Sequence, residues 1–237
     1  MAGYGALSDV YDWVIPDGML TPADSVAAFG DLVKSLPPGA RVLDCACGTG
    51  QLAVGLAGLG LDVVATDASA GMVRRTDHLD AATFDMVFCV GNSLHHADGT
   101  SGRLAALAAM AQLLGRGGRL VLTSRTWELI RANGSRLDVR DRLVRRRGRD
   151  AFVVYNWQIE ERWEQEHHLD IAVAQVGADG VVTTCSERLS CWPFRHEQLV
   201  SQLQRVGLRV ETTTFDPVAE GYMVVAVKED AQGGCSA

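Results

Sequence analysis

The sequence lacks any uninterrupted apolar run of the ~18 residues that a membrane-spanning helix needs. The best candidate, from Leu52 to Ala65, is broken by glycines and by Asp62. The first residues, MAGYGALSDVYDW, also lack the basic segment followed by an apolar stretch that marks a secretory signal. We therefore expect a cytoplasmic protein with no membrane segment.

Lysine is scarce, because Lys34 and Lys228 are the only two among 22 basic residues. Acidic side chains outnumber basic ones and give a net charge of −7. This balance argues against a general binder of nucleic acid or of acidic membranes. The six cysteines form no paired CxxC ladder, so we expect reduced thiols and no metal centre.

Arginine is locally concentrated, with seven residues between Arg136 and Arg149 that are diluted by Asp138 and Asp141. We interpret this run as a solvated connecting helix whose charges pair at a spacing of three or four residues. A patch that faces an anion or RNA is the alternative.

The 237 residues fit one domain that is large enough to bury a core without disulfides. Within residues 38–130 short apolar strands alternate with helices, which predicts a doubly wound, Rossmann-like, mostly parallel α/β sheet. Residues 150–193 hold three strand-like segments without helices between them and predict an antiparallel, β-rich lid. Residues 194–228 predict a helix and a C-terminal antiparallel hairpin that completes the core sheet, and residues 1–37 predict N-terminal cap helices.

The strongest local signal is the segment VLDCACGTG, from Val42 to Gly50, in which a strand runs into a glycine turn that opens a helix. Such a turn lets a ligand approach the backbone closely and faces it with helix N–H groups. A dinucleotide fits the glycine pattern, but Asp44 at the strand end would repel its pyrophosphate. S-adenosylmethionine carries an ammonium and a sulfonium group and no phosphate, so Asp44 favours this ligand. A second strand ends in Asp67, which is placed to bind both ribose hydroxyls or, alternatively, to cap the next helix.

Three segments together resemble a known family. They are the glycine turn, the segment FDMVFCVGNSLHH from Phe84 to His96, and the segment SRTWE from Ser124 to Glu128. They resemble class I S-adenosylmethionine-dependent methyltransferases and, within that group, the glycine and glycine/sarcosine N-methyltransferases. The resemblance covers roughly residues 40–130. It implies S-adenosyl-L-methionine as the cofactor and makes residues 38–130 the cofactor-binding core.

The resemblance also implies roles for individual residues. Asn92 contacts the substrate, Arg125 clamps a substrate carboxylate with its planar fork, and His96 occupies the family's histidine position, so these three are the expected catalytic residues. An ion pair with Glu128 is the alternative for Arg125. A polar helix start without chemistry is the alternative for His96 and the favoured interpretation for His95. The implied cofactor-binding residues are Tyr11, Asp44, Ala46, Gly48, Gly50, Asp67, Ala68, Met72, Val90 and Asn92.

After Arg75 the sequence departs from the family pattern. The strand at Phe84 follows with about 20 to 30 residues fewer than the usual strand–helix–strand unit provides. The third strand of the sheet is therefore expected to be missing, unless the sequence omits a segment. Asp77 is the candidate for the remnant of the adenine contact.

These observations predict an enzyme that methylates a small molecule, with the nitrogen of an amino-acid-like, carboxylate-bearing acceptor as the main hypothesis. O-methylation of a carboxylate or hydroxyl, RNA methylation and non-catalytic cofactor binding are the alternatives. A nicotinamide-dependent oxidoreductase is disfavoured by Asp44 and by the lack of a recognisable hydride-transfer site. Aromatic residues of the second half, among them Trp127, Tyr155 and Trp157, are expected to pack in the core or, alternatively, to cage an ammonium group.

Overall fold

The computed structural model describes residues 5–67, 83–140, 143–177 and 179–229. The strands are β1 (Arg41–Cys45), β2 (Asp62–Thr66), β3 (Phe84–Cys89), β4 (Leu114–Arg125), β5 (Arg136–Val139), β6 (Val144–Arg146), β7 (Arg149–Gln158), β8 (His167–Val176), β9 (Val182–Cys191), β10 (Leu208–Thr213) and β11 (Gly221–Lys228). The α-helices are α1 (Tyr11–Val14), α2 (Pro22–Ala27), α3 (Gly30–Lys34), α4 (Gln51–Gly58), α5 (Gly99–Leu113), α6 (Trp127–Ala132) and α7 (His196–Arg205). Across these ranges no helix combines the length and the apolar character needed to cross a membrane.

Six strands form the core sheet in the order β10-β11-β4-β3-β1-β2. β1 pairs in parallel with β2 and with β3, and β3 pairs in parallel with β4. β11 joins β4 in the antiparallel sense, and β10 pairs antiparallel with β11. The predicted Rossmann-like, mostly parallel sheet with a C-terminal antiparallel hairpin is therefore confirmed.

β2 lies at one edge of the core sheet. In the part of the chain that the structure describes, no further strand pairs with its outer side. The helix predicted to begin at Ser69, and the region of the expected third strand, fall within residues 68–82, which lie outside the described residues.

Both faces of the core sheet are buried. Leu43 of β1 and Val87 of β3 belong to one apolar cluster, which α5 and α7 cover. Val42 and Phe88, the preceding and following residues on these strands, belong to the opposite cluster, which α3 and α4 cover. Because successive strand residues point to opposite faces, this double cover explains why the core strands are continuous apolar runs.

A second, antiparallel sheet follows α6. β5, β7, β8 and β9 pair in that order, and β6 pairs with β7. The long strands β7, β8 and β9 lie where the sequence predicts three strands without helices between them. The sheet begins earlier than expected, at Arg136 rather than near residue 150.

The interpretation of the arginine run as a connecting helix is wrong, since β5 and β6 occupy it. In β5 the polar residues Arg136 and Asp138 form an ion pair at 2.8 Å. The intervening Leu137 and the next residue, Val139, are 65% and 52% exposed. This alternation of polar and apolar residues has the period of a strand. The segment accordingly pairs with β7 and does not form a helix with charge pairs along one face.

Two arginines of the run hold the N-terminal segment, residues 5–20, against the second sheet. The Arg140 guanidinium donates to the backbone oxygens of Trp13 and Val14 at 3.3 and 2.7 Å. The Arg146 guanidinium donates to the backbone oxygen of Asp12 at 3.3 Å. Since both side chains bind their own chain, neither supports the alternative of an anion- or RNA-facing patch.

Candidate active site

A cavity of 1330 Å³ lies at the carboxyl ends of β1 to β4 and is also lined by the N-terminal segment and the second sheet. Ligands of open α/β sheets bind at this edge, and the volume exceeds the ~300–1,000 Å³ of an ordinary small-molecule site. The cavity brings together nine predicted site residues: Tyr11, Asp44, Ala46, Gly48, Asp67, Val90, Asn92, His96 and Arg125. Of the other three predictions, Gly50 does not line the cavity, and Ala68 and Met72 lie outside the described residues, as does the adenine candidate Asp77.

The turn after β1 requires glycine at two positions. Gly48 and Gly50 have φ values of +53° and +89°, a region that residues with a Cβ rarely adopt. The Gly48 N–H donates to the Asp67 carboxylate at 3.0 Å, which ties the ends of β1 and β2 together. A Cβ on Gly48 would lie 3.6 Å from Cε1 of Tyr11, so Tyr11 packs closely over the turn. Gly50 precedes α4 and acts through its conformation, since it does not line the cavity.

The Asp44 carboxylate is buried at the end of β1, with 1% of the residue exposed. Neither of its oxygens has a hydrogen-bond partner at ordinary geometry. Burial raises the pKa of this carboxyl to about 7, the nearby Asp67 charge adds to the rise, and the backbone N–H of Ala53 offsets a part of it. A buried carboxylate without a partner is costly to the fold, and a cationic ligand would relieve that cost.

Tyr11 and Asp67 line the same cavity and interact electrostatically. Burial raises the pKa of the Tyr11 phenol, and the Asp67 charge adds to that rise. Tyr11 therefore keeps its proton near neutral pH and can act as a hydrogen-bond donor in the cavity. The alternative role of Asp67 as a helix cap concerns the residues from 68 onward, outside the described ranges.

A 3-10 turn, Ser93–His96, follows β3. Asn92, which starts this turn, has a φ of +68°, a strained backbone conformation for a residue with a Cβ. The Nδ1 atom of His96 lies 2.8 Å from the backbone oxygen of Ser190 in β9. Because a carbonyl oxygen only accepts, Nδ1 carries the proton of the neutral ring and Nε2 is its basic nitrogen. Burial lowers the pKa of His96, so the ring is neutral near pH 7.

His95 lies within the 3-10 turn that the sequence predicts as a helix start, and it is buried, with only 4% of the residue exposed. Its ring meets Trp127 edge-on with 5.3 Å between ring centroids, and its Nδ1 is buried without a hydrogen-bond partner. A ring nitrogen of His95, one of His96 and the Sγ atom of Cys191 lie within 4.8 Å of one another. Sequence spacing gave no signal for this cluster, since almost a hundred residues separate the histidines from Cys191.

Arg125 ends β4 and lines the cavity. Its Nε is buried without a hydrogen-bond partner, and its Cζ lies 5.3 Å from the ring centroid of Trp157. Glu128 instead accepts a hydrogen bond from the backbone N–H of His196 at 2.8 Å. Within the described residues no carboxylate pairs with Arg125, so the ion pair with Glu128 that the sequence left open is not formed.

The second sheet contributes cavity residues that sequence reasoning did not assign to the site. Arg136, Arg140 and Tyr155 line the cavity together with Trp157. Arg136 is neutralised by Asp138, and Arg140 also donates to the Tyr155 hydroxyl at 3.2 Å. The alternation of polar and apolar residues from Arg136 to Arg140 is the signal that could have placed them on an inward-facing strand.

The part of the chain that builds this cavity is similar to known proteins. Residues 43–122, which run from β1 into β4, match the family model of the methyltransferase domain. The matched segment, about a third of the chain, is thus similar to a methyltransferase domain. Its six-stranded, mostly parallel core sheet has the fold seen in solved structures of S-adenosylmethionine-dependent methyltransferases.

Three relatives illustrate the likeness. The glycine/sarcosine N-methyltransferase of Aphanothece halophytica is 33% identical over 115 residues, which span 40% of this chain and 43% of that enzyme. The S-adenosylmethionine-bound amino pentose methyltransferase CalS10 of Micromonospora echinaspora is 21% identical, with a TM-score of 0.68 over 96% of this chain and 98% of its own. The sugar N-methyltransferase KedS8 of Streptoalloteichus sp. is 20% identical, with a TM-score of 0.71 over 97% of this chain and 94% of its own. At these identities the two structures show that the fold is shared.

The CalS10 structure contains bound S-adenosylmethionine, and the described residues of this cavity fit that cofactor. The buried, unpartnered carboxylate of Asp44 suits a ligand that brings an ammonium group. The turn at Gly48 leaves its backbone open to close approach, because no side chain projects from it toward Tyr11. The Asp44 carboxylate and the open backbone at Gly48 therefore both suit the cationic, phosphate-free cofactor that the sequence favours.

Proposed function

We propose that the methyltransferase domain methylates the nitrogen of an amino-acid-like small molecule whose carboxylate binds Arg125. The proposal is based on which of the three arginines that line the cavity are already paired. Arg136 is paired with Asp138, and Arg140 is bound by backbone oxygens and by Tyr155. Arg125 has a buried, unpartnered Nε and no carboxylate partner among the described residues, so its fork is available to a ligand carboxylate.

The named relatives support nitrogen as the acceptor atom. One is a glycine/sarcosine N-methyltransferase and another is a sugar N-methyltransferase. The available Arg125 favours an amino acid over an amino sugar, because a sugar brings no carboxylate.

In this proposal the cofactor is held by five residues at the ends of the core strands: Asp44, Ala46, Gly48, Asp67 and Val90. Tyr11 closes over it from the N-terminal segment. Bound there, S-adenosylmethionine supplies an activated methyl group. Asn92 and Arg125 orient the acceptor, which must present its amine in the neutral form. The second sheet acts as the lid that keeps water from the cavity.

His96 is the residue that we assign to take the proton of the acceptor amine. Its Nδ1–H is held by the Ser190 carbonyl, which leaves Nε2 as the basic nitrogen. Because Ser190 belongs to β9, the second sheet that covers the acceptor also orients this imidazole.

Methylation of the carboxylate itself is the second candidate, since the same observation at Arg125 brings a carboxylate into the cavity. The test is incubation of the full chain with methyl-labelled cofactor and three acceptor sets: amino acids, amines without a carboxylate, and carboxylic acids without an amine. We expect label on amino acids only, in a product that resists mild base. Base-labile label on carboxylic acids would indicate a methyl ester, and equal labelling of plain amines would contradict the role of Arg125.

A further inference from the structure

Two consecutive histidines and one cysteine converge beside the acceptor cavity. His95 and His96 belong to the turn after β3, and Cys191 ends β9 of the second sheet. One potential ligand atom from each side chain lies within 4.8 Å of the other two. His95 and Cys191 are 4% and 1% exposed, so the cluster is shielded from bulk water.

Two features of the cluster are consistent with a metal site. The Nδ1 of His96 is held by the Ser190 backbone oxygen at 2.8 Å, and a metal-ligating histidine ordinarily donates its other ring N–H to such a carbonyl. The Nδ1 of His95 is buried and has no hydrogen-bond partner, so packing alone leaves a polar atom of the cluster unsatisfied.

We propose that His95, His96 and Cys191 form a binding site for Zn²⁺ at the wall of the acceptor cavity. Two imidazoles and one thiolate are a donor set that suits Zn²⁺ and not Mg²⁺ or Ca²⁺, which take oxygen ligands. Tetrahedral Zn²⁺ places such donors about 3.3 to 3.6 Å apart, so side-chain rotations that bring these atoms together by about 1 Å complete the site. Both histidines line the cavity, so the site would lie at its wall.

The charges around the cluster limit its affinity. Burial is the main cause that lowers the pKa of both histidines, and the nearby charge of Arg125 adds to it; the same charge repels a divalent cation. Asp67 acts on His96 in the opposite sense. We therefore expect affinity in the micromolar range rather than that of a closed structural zinc site.

Occupation of the site has a consequence that rests on the proposed function. Zn²⁺ would take the basic nitrogen of His96 and stand beside the acceptor held by Arg125. Bound Zn²⁺ is therefore an inhibitor of methyl transfer. Metal binding itself does not depend on the identity of the acceptor.

The binding test uses Co²⁺ as a spectroscopic probe for Zn²⁺ on the full chain. We expect visible bands of a tetrahedral site and a near-ultraviolet thiolate-to-cobalt band, both removed by added Zn²⁺. Cys191→Ser should lose the thiolate band, whereas the matched control Cys185→Ser should keep it, because the Cys185 sulfur contacts the Ala6 backbone oxygen instead. Absence of the bands in the unmodified chain, or a thiolate band that survives Cys191→Ser, would overturn the proposal.

His95→Phe provides a second variant if Cys191→Ser does not fold, and it should weaken Co²⁺ binding at least about tenfold. Once an acceptor is known, Zn²⁺ should inhibit turnover, and Cys191→Ser should raise the inhibitory concentration by a similar factor. Unaltered Co²⁺ spectra in the folded His95→Phe protein would contradict the site. Cobalt binding without any methylated acceptor would instead contradict the proposed function and leave the metal site standing.

Discussion

The guanidinium carbon of Arg125 lies 5.3 Å from the ring centroid of Trp157 and thereby joins the end of the core sheet to the second sheet. The guanidinium carbon of Arg136 lies at the same distance from this ring. Of these two arginines, Arg136 is neutralised by Asp138, whereas Arg125 has no carboxylate partner among the described residues and is available to a ligand. The indole holds the fork of Arg125 in place while leaving its N–H groups free to bind a carboxylate.

Arg125→Lys tests the carboxylate clamp, because lysine keeps the charge and loses the planar fork. We expect the acceptor KM to rise about tenfold or more, which corresponds to loss of a charge-assisted hydrogen bond of about 1.5–3 kcal/mol. Affinity for S-adenosylmethionine, measured by calorimetry, should stay within about twofold. A collapse of cofactor affinity would make Arg125 a structural or cofactor-binding residue.

Trp157→Leu tests whether the indole positions Arg125. The acceptor KM should rise as in Arg125→Lys, and the double variant should lose little more than either single one, because both changes disturb the same contact. Trp157→Phe retains an aromatic face and should recover most of the affinity. Full additivity of the two single changes would show that Trp157 acts on folding and not through Arg125.

Asp67→Ala tests the predicted cofactor contact at the end of β2. Cofactor binding should weaken by about 1–3 kcal/mol, since the carboxylate also holds the Gly48 N–H that shapes the turn. Asp62→Ala is the matched control, because Asp62 begins the same strand and forms an exposed ion pair with Arg41 at 3.1 Å. Equal effects of the two substitutions would indicate a loss of stability rather than of a ligand contact.

Asp44→Asn should stabilise the ligand-free protein at pH 8. Burial raises the pKa of Asp44 from its ordinary 3.8 to about 7, so folding stability is lost as the pH rises through this window and the folded chain must ionise the group. At pH 8 the variant should gain up to about 4 kcal/mol over the unmodified chain, and the gain should fade toward pH 4. Denaturant unfolding at several pH values measures it, and a gain that is independent of pH would rule out the buried charge of Asp44 as its cause.

The same carboxylate links cofactor binding to pH. A cationic ligand favours the ionised form, so the dissociation constant of S-adenosylmethionine should rise by up to about tenfold for each pH unit below 7 and level off above it. In Asp44→Asn this dependence should vanish and binding should be weaker at pH 8. Calorimetry of both proteins in buffers from pH 6 to pH 8 separates the two profiles. A variant that keeps the steep profile would assign the proton to another group.

The sequence was sufficient for the parts of the molecule that depend on local pattern. Continuous apolar runs predict the core strands, and the glycine spacing predicts the turn at Gly48. Both features depend on residues that are close together in the sequence. The contact of Arg125 with Trp157 depends on the register of β7 against β8 and on how the second sheet packs against the core sheet. Neither can be predicted from a local sequence pattern. The cluster of His95 with Cys191 depends on the same long-range placement. The segment at Arg136 was misread because helical charge spacing and strand alternation coexist in it, and pairing with β7 decided between them.

Arg140→Ala tests whether the N-terminal segment closes over the cofactor in the cavity. Arg140 donates to the backbone oxygens of Trp13 and Val14, directly after Tyr11, and its removal leaves both oxygens to water. The segment should then open more often, and the dissociation rate of S-adenosylmethionine, followed by dilution or competition, should rise about tenfold. Arg145→Ala is the matched control, because that side chain is 73% exposed and contacts Asp150 of its own hairpin. Equal rates in both variants and the unmodified chain would mean that the cofactor leaves by a route that does not require this segment to move.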